Sequence, residues 1–232
     1  MIGSITRIVK LVLAGALTTG VMMVATPAAA GTSEVESIDG LVLKIDEKRR
    51  KLYVRPGATF AGYKRYYLLE PNIAFRRNWQ RDTRVNGRRI TDAQMNEIRE
   101  VAAELLIEVF NEELQAGGYA VSETSGDDVI VFRPAIIDLD ITAPDVATAG
   151  RSRSWTDSSM SATLVLEMFD SQTLEILARG ASAQSESSSG FMSRANSVTN
   201  RADAKRIYKR WAEKLRAAWD NARASVTASS AQ

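Results

Sequence analysis

Asp138 and Asp140 stand two residues apart in the run Ile137 to Ile141, where apolar and acidic residues alternate. On an extended strand this spacing points both carboxylates to one face, about 7 Å apart. Two carboxylates flanking a substrate can act as acid and base in glycoside cleavage. The same alternation is what any half-buried sheet shows to water, and Glu167 and Asp170 carry the same plain explanation. A second chemistry is suggested between positions 76 and 89. Arg76, Arg77, Arg81, Arg84, Arg88 and Arg89 stand there with one acid, Asp82, and with Trp79 among them. A guanidinium is a planar fork that grips carboxylate or phosphate and stacks on rings. Arg151 and Arg153, followed by Trp155, repeat the combination. Arg76, Arg77, Trp79, Arg151 and Arg153 are therefore the candidate anion- or partner-binding residues. The competing reading is a solvated connection whose arginines pair with acids elsewhere in the fold.

Composition narrows the rest. The 232 residues hold 30 Lys and Arg, 28 Asp and Glu, 45% hydrophobic residues, no His and no Cys. That is enough chain for one globular domain of roughly 150–200 residues, and it excludes disordered, collagenous and multi-span membrane classes. Without His or Cys there is no Ser-His-Asp or Cys-His nucleophile, no zinc, haem or iron–sulfur centre held by those residues, and no disulfide. No catalytic residue, metal or cofactor is assigned.

Residues 1–30 read as an export signal. Arg7 and Lys10 precede an apolar stretch from Leu11 to Ala25, and Ala28-Ala29-Ala30 supplies small residues before a cut at Gly31. Gly15, Thr18, Thr19 and Gly20 dilute the stretch below the ~20 strongly apolar residues of a spanning helix. Cleavage would remove Arg7 and Lys10 and no acid, leaving 28 basic and 28 acidic residues. The excess positive charge then belongs to the signal and gives no argument for nucleic acid. The expected location is the periplasm or outside the cell, with no membrane span after cleavage. Retention of the segment as an anchor is the rival.

Order is expected to begin near Leu41, after a small, polar, acidic start over 31–40. Tyr67, Leu69, Ile73 and Phe75 follow a period of two, the pattern of a half-buried strand. Pro71 interrupts it, which places the strand at a sheet edge or gives it a bulge. Thr91 with Gln94 forms a capping box, Ile90 staples to Met95, and Met95, Ile98, Ala102, Leu105 and Val109 trace a helical face as far as Gly117-Gly118. Asp128 to Ile141 is a long strand whose phase changes at Pro134. Ala162, Leu164, Leu166 and Met168 form another strand. Leu174, Ile176 and Ala178 form its hairpin partner across Asp170 to Thr173. Ser182 to Ser193 reads as a mobile serine loop. Asn200 caps a last helix bearing Ala204, Ile207, Trp211, Leu215, Ala218 and Ala222 on one face, with Asp203 in its first turn. Asn200-Arg201-Ala202-Asp203 could instead be a polar site. Tyr208, Trp211 and Trp219 make either a ligand stripe or core. Residues 41–225 form a single domain, and 226–232 a disordered tail.

Four segments carry a likeness to a known group: Tyr53 to Ala58, Phe75 to Trp79, Ala143-Pro144-Asp145 with Gly150 to Arg153, and Asn196 to Asp203. In these the chain resembles the bacterial envelope proteins of domain of unknown function 3313, many of which are classed as lipoproteins. The likeness implies a family and a compartment, and no reaction. The signal lacks a lipobox Cys, and Leu174 stands where such hairpin turns often place Gly. The expected fold is an α+β two-layer sandwich, an antiparallel or mixed sheet of about 4–5 strands with two long helices on one face. The expected role is an exported, non-enzymatic envelope protein binding a protein partner or an anionic lipid or polysaccharide. The alternative is a carboxylate-dependent hydrolase of a cell-wall or lipid substrate.

Overall fold

The computed structural model describes residues 37–85, 88–141, 154–156, 158–187, 193–195 and 197–229. The strands are β1 (Ser37–Ile38), β2 (Leu41–Glu47), β3 (Arg50–Val54), β4 (Arg65–Leu68), β5 (Asn72–Phe75), β6 (Arg84–Val85), β7 (Arg88–Arg89), β8 (Ala120–Val121), β9 (Val129–Ile141), β10 (Ser154–Thr156), β11 (Ser158–Asp170), β12 (Ile176–Ser187) and β13 (Ser193–Ala195). The helices are α1 (Trp79–Asp82), α2 (Asp92–Ala116) and α3 (Ser197–Ser229). Nine strands form one mixed sheet in the order β1-β2-β3-β12-β11-β9-β4-β8, and β5 also pairs with β9. The pairs β4 with β9, β5 with β9 and β4 with β8 are parallel. Strands β6 with β7 and β10 with β13 are separate two-stranded pairs.

One face of this sheet builds the core. Ile130, Phe132 and Ile136 of β9 and Ala162, Leu164 and Leu166 of β11 alternate inward. They join a single cluster with Leu105, Leu106, Val109 and Phe110 of α2 and Ile207, Tyr208, Trp211 and Leu215 of α3. Both long helices therefore cover the same face, giving the expected α+β two-layer arrangement. On the opposite face a charged row runs across three strands. Glu167 of β11 stands opposite Arg133 of β9 and Arg179 of β12. It accepts from Arg133 Nε at 2.6 Å and from Arg179 Nε at 2.8 Å.

Helix α2 starts as its residues dictate. The Thr91 hydroxyl accepts from the Gln94 amide, and the Gln94 side chain accepts from the Thr91 amide. Ile90 and Met95 share a buried cluster.

Several expectations are corrected. The sheet has nine strands, not four or five. The hairpin β2–β3 breaks period two at a register shift between Leu43 and Ile45, and two-residue strands such as β8 carry no periodic signal. Ser182 to Ser187 is strand rather than loop. The Ala and Ser side chains there supply no hydrophobic pattern to read, while residues 188–192 lie outside the described residues. The phase change in β9 falls at Asp138, not Pro134. Asp138 has φ 52, and the register with β11 shifts beside it. Buried positions thus pass from Ile136 to Leu139, leaving Ile137 38% exposed. In the hairpin Leu174 is exposed with φ 57, and Leu177 with Ala178 takes the buried places. Helix α3 begins at Ser197, so Asn200 lies inside it, and it runs to Ser229 through part of the expected tail. Trp219, not Ala218, completes its buried face.

Candidate functional site

Pro71 divides what period two suggests is one strand into β4 and β5, which lie end to end against β9. The phase flips at the break. Tyr66 is the buried residue of β4, whereas Ile73 is buried on β5. Among the described residues β5 pairs with β9 alone, so the expectation of a sheet edge holds there.

Immediately after β5 the chain turns at Asn78, which takes a left-handed φ of 64 into α1. Trp79 is then carried inward. It is 1% exposed, packs with Ile90 and Met95, and donates Nε1 to the Ile141 carbonyl at 3.2 Å. Its ring stacks on Phe75 with centroids 4.3 Å apart and planes at 19°. Gln80 fastens this turn to the start of α2, donating to the Ile90 carbonyl at 3.0 Å and to Asp92 Oδ1 at 2.7 Å.

Arg76 lies against acids from two elements. Its Nε donates to Asp140 Oδ2 at 2.7 Å and its Nη1 to Asp82 Oδ2 at 3.2 Å. Arg81 Nε contacts the same Asp82 at 3.1 Å. Hydrogen bonds from Arg81 and Arg76 hold the Asp82 carboxyl below the usual carboxylate range. Arg77 is exposed. The arginine-rich stretch is therefore partly neutralised by Asp140, an acid sixty-odd positions away in sequence. Arg151 and Arg153 lie outside the described residues, as do the side chains of Arg84, Arg88 and Trp155.

Asp138 and Asp140 do not form the facing pair that alternation suggests. The left-handed backbone at Asp138 breaks the extended geometry on which the shared face depends. Asp138 is exposed, and Asp140 is engaged by Arg76. Asp203, expected in the first turn of the last helix, lies further along it, buried and ion-paired with Arg206. Tyr208, Trp211 and Trp219 are core.

Arg76, Trp79, Gln80 and Arg81 border a groove of about 810 Å³. One wall is the segment Glu70 to Arg76; the other is Met95, Arg99, Glu100 and Ala103 of α2, with α1 closing one end. The residue that inspection of the sequence passed over is Arg99. Its guanidinium carbon lies 5.2 Å from the Phe75 ring centroid, and Nη1 donates to Asn96 Oδ1 at 2.6 Å. Among the described residues it has no carboxylate partner. Its spacing from Met95 and Ala103, four residues each way on a helix, was the available signal.

Other likeness segments have structural work. Arg55 donates Nε to the Ile176 carbonyl at 2.6 Å and pairs with Glu175 at 3.1 Å, clamping the end of β3 to the start of β12. Gly57 turns the chain away with φ 79, where a side chain would be strained.

The chain belongs to the DUF3313 family, a family of proteins of unknown function, which matches residues 46–215. No curated protein matches the sequence. Solved structures similar to it include PelC from Paraburkholderia phytofirmans, crystallised as a dodecamer, with 10% identity and TM-score 0.37, covering 70% of this chain and 96% of that one. A minor lipoprotein from Acinetobacter baumannii shows 11% identity and TM-score 0.31, covering 67% and 94%. A DUF4136 family protein from Bacteroides thetaiotaomicron shows 10% identity and TM-score 0.35, covering 78% and 98%. Among the described residues no helix is long and apolar enough to cross a membrane.

Proposed function

We propose that this is an exported envelope protein that binds a protein partner in the groove between β5 and α2. The observation that carries the reading is Arg99, a half-buried guanidinium lying over the Phe75 ring and, among the described residues, without a carboxylate to neutralise it. A cation held on an aromatic face inside a groove is prepared for an anionic group of a ligand, and it pays little ordering entropy on binding. Arg76 on the facing wall and Arg81 at the end closed by α1 add basic groups to the groove, both ion-paired with Asp82. The exposed Glu70 and Glu100 stand on the rim. That mixture of signs suits a protein surface better than a uniformly anionic lipid sheet. Export follows from the Arg7, Lys10 and Ala28-Ala29-Ala30 pattern, with a mature chain starting at Gly31.

The test places a photocrosslinking residue at Asn72 or Arg81 in the exporting cell, and intact mass on the exported chain reads its N-terminus. Wild-type groove positions should yield one discrete crosslinked protein. Reversing Arg77 and Arg99 to Glu should abolish it with little change in melting temperature, because exposed and partly exposed charges contribute little to folding. Undiminished crosslinking in the reversed variant overturns the groove assignment. Retention on vesicles of anionic lipid, with no protein crosslink, replaces the partner by a membrane. A mass that still includes residues 1–30 overturns export by cleavage.

A further inference from the structure

We infer that the groove takes its partner as an extended segment, added as a further strand to the free edge of β5 and carrying an acidic side chain opposite Arg99. This rests on the reading of the groove as the partner site.

Seven consecutive residues, Glu70 to Arg76, line the groove. Successive side chains of a strand point to opposite faces, so a cavity lying over one face is lined by every second residue. A cavity lined by all of them runs along the backbone edge. The hydrogen bonding of β5 shows which groups that edge presents. The Arg76 amide donates to the Leu139 carbonyl at 2.9 Å, and Phe75 is the register partner of Leu139. In a parallel pair this directs the main chain of Asn72, Ala74 and Arg76 toward β9, and the N–H and C=O of Ile73 and Phe75 away from it. Among the described residues no strand pairs with that side. Pro71 has the outward parity and lacks a donor, so it guards one end of the edge while leaving the two outward residues beyond it available.

The opposite wall is one flank of a helix, on which Met95, Arg99 and Ala103 recur every fourth residue. A slot between an edge strand and a helix flank is the setting in which peptides bind by strand addition. Main-chain hydrogen bonds supply affinity there, and alternate side-chain contacts supply choice. Charge narrows the choice. Arg76 and Arg81 share Asp82, and Arg76 also holds Asp140, whereas among the described residues Arg99 has only Asn96 and the Phe75 ring. One carboxylate is therefore called for at Arg99. Glu70 and Glu100 at the rim disfavour a run of acids, so the chemistry is an alternating extended segment with a single Asp or Glu and not a polyanionic chain.

The test uses the 15N-labelled protein and three capped hexapeptides of alternating Val and Thr, with Glu, Gln or Lys at the third position. The Glu peptide should slow amide hydrogen exchange at Ile73 and Phe75 by roughly tenfold or more, while the amides of Ala74 and Arg76, already bonded to β9, keep their rates. Methylating alternate peptide nitrogens should remove the effect in one of the two registers only. In the Arg99→Glu variant the preference should pass to the Lys peptide. Failure of all three peptides to protect Ile73 and Phe75 in the unsubstituted protein overturns the inference, whether or not any variant folds. Crosslinking of a partner at Asn72 or Arg81 without that protection leaves the groove as the partner site and overturns strand addition alone.

Discussion

At the scale of single residues, the aromatic side chains of α3 are answered by burial. Trp211 is 2% exposed and Tyr208 fully buried, their rings stacked at 5.8 Å. Trp211→Ala removes that contact and leaves a cavity, so unfolding free energy should fall by roughly 3–5 kcal/mol. A denaturation midpoint near wild type would show the aromatic face to be exposed instead. The Tyr208 hydroxyl is buried with no hydrogen-bond partner among the described residues. Tyr208→Phe relieves that desolvation and should stabilise by about 1 kcal/mol in the same denaturation series. Leu174 offers a converse case in a turn. It is 41% exposed and held at φ 57, so it contributes strain with little burial in return. An L-residue in this conformation costs about 1–2 kcal/mol, of which glycine's extra unfolded-state freedom cancels roughly half. Leu174→Gly should therefore raise stability by about 0.5–1 kcal/mol, and a lower midpoint would show the leucine side chain to be packed.

At the scale of elements, α2 carries both the core and one wall of the groove, so its first turn matters to both. Thr91→Ala removes the side-chain half of a capping box and should cost about 1 kcal/mol, read as a shifted chemical-denaturation midpoint. If no shift appears, Gln80, which already reaches Ile90 and Asp92 from α1, is holding the helix start by itself. The contrast between α2 and β4–β5 explains what could be read in advance. Thr91, Gln94, Ile90 and Met95 interact within a few positions of one another, and their geometry follows from helical spacing alone. Tyr67, Leu69, Ile73 and Phe75 also follow a simple period. Each half, however, takes its facing from its own hydrogen bonds to β9, and Pro71 lets the phase reverse between them.

For the whole molecule, several tyrosines tie distant elements together. Tyr119 stacks on Trp219 at 3.8 Å and donates to Asp220 at 2.6 Å, and Tyr63 donates to Asp170 at 2.8 Å. Burial, then the Asp220 hydrogen bond, pushes the Tyr119 hydroxyl up to about 12 against an opposing pull from Arg223. Burial also raises Tyr63, Tyr66 and Tyr208 above their ordinary value. A folded-state pKa above the unfolded one contributes stability that is complete below the ordinary phenol value of about 10 and is lost as pH rises toward 12. Absorbance at the tyrosinate band should therefore lag behind free tyrosine and rise together with the loss of circular dichroism. Ionisation of all the tyrosines near 10 with the dichroism intact would contradict this packing.

By itself the sequence determined the α+β class, the two long helices, the capping box of α2, the choice between edge and bulge around Pro71, and the family likeness. Each rests on residues that interact within a few positions, or on composition, and needs no knowledge of what lies opposite. It also marked Arg76, Arg77 and Trp79. Only the tertiary structure decided that Trp79 is core, that Asp140 of β9 pairs with Arg76 at the end of the adjoining β5, that Asp138 breaks the apparent carboxylate pair, and that Arg99 lies over the Phe75 ring. Those facts depend on strand register and on which helix flank meets which strand, set by contacts between residues far apart in the chain. No period or spacing along the chain encodes such contacts one position at a time.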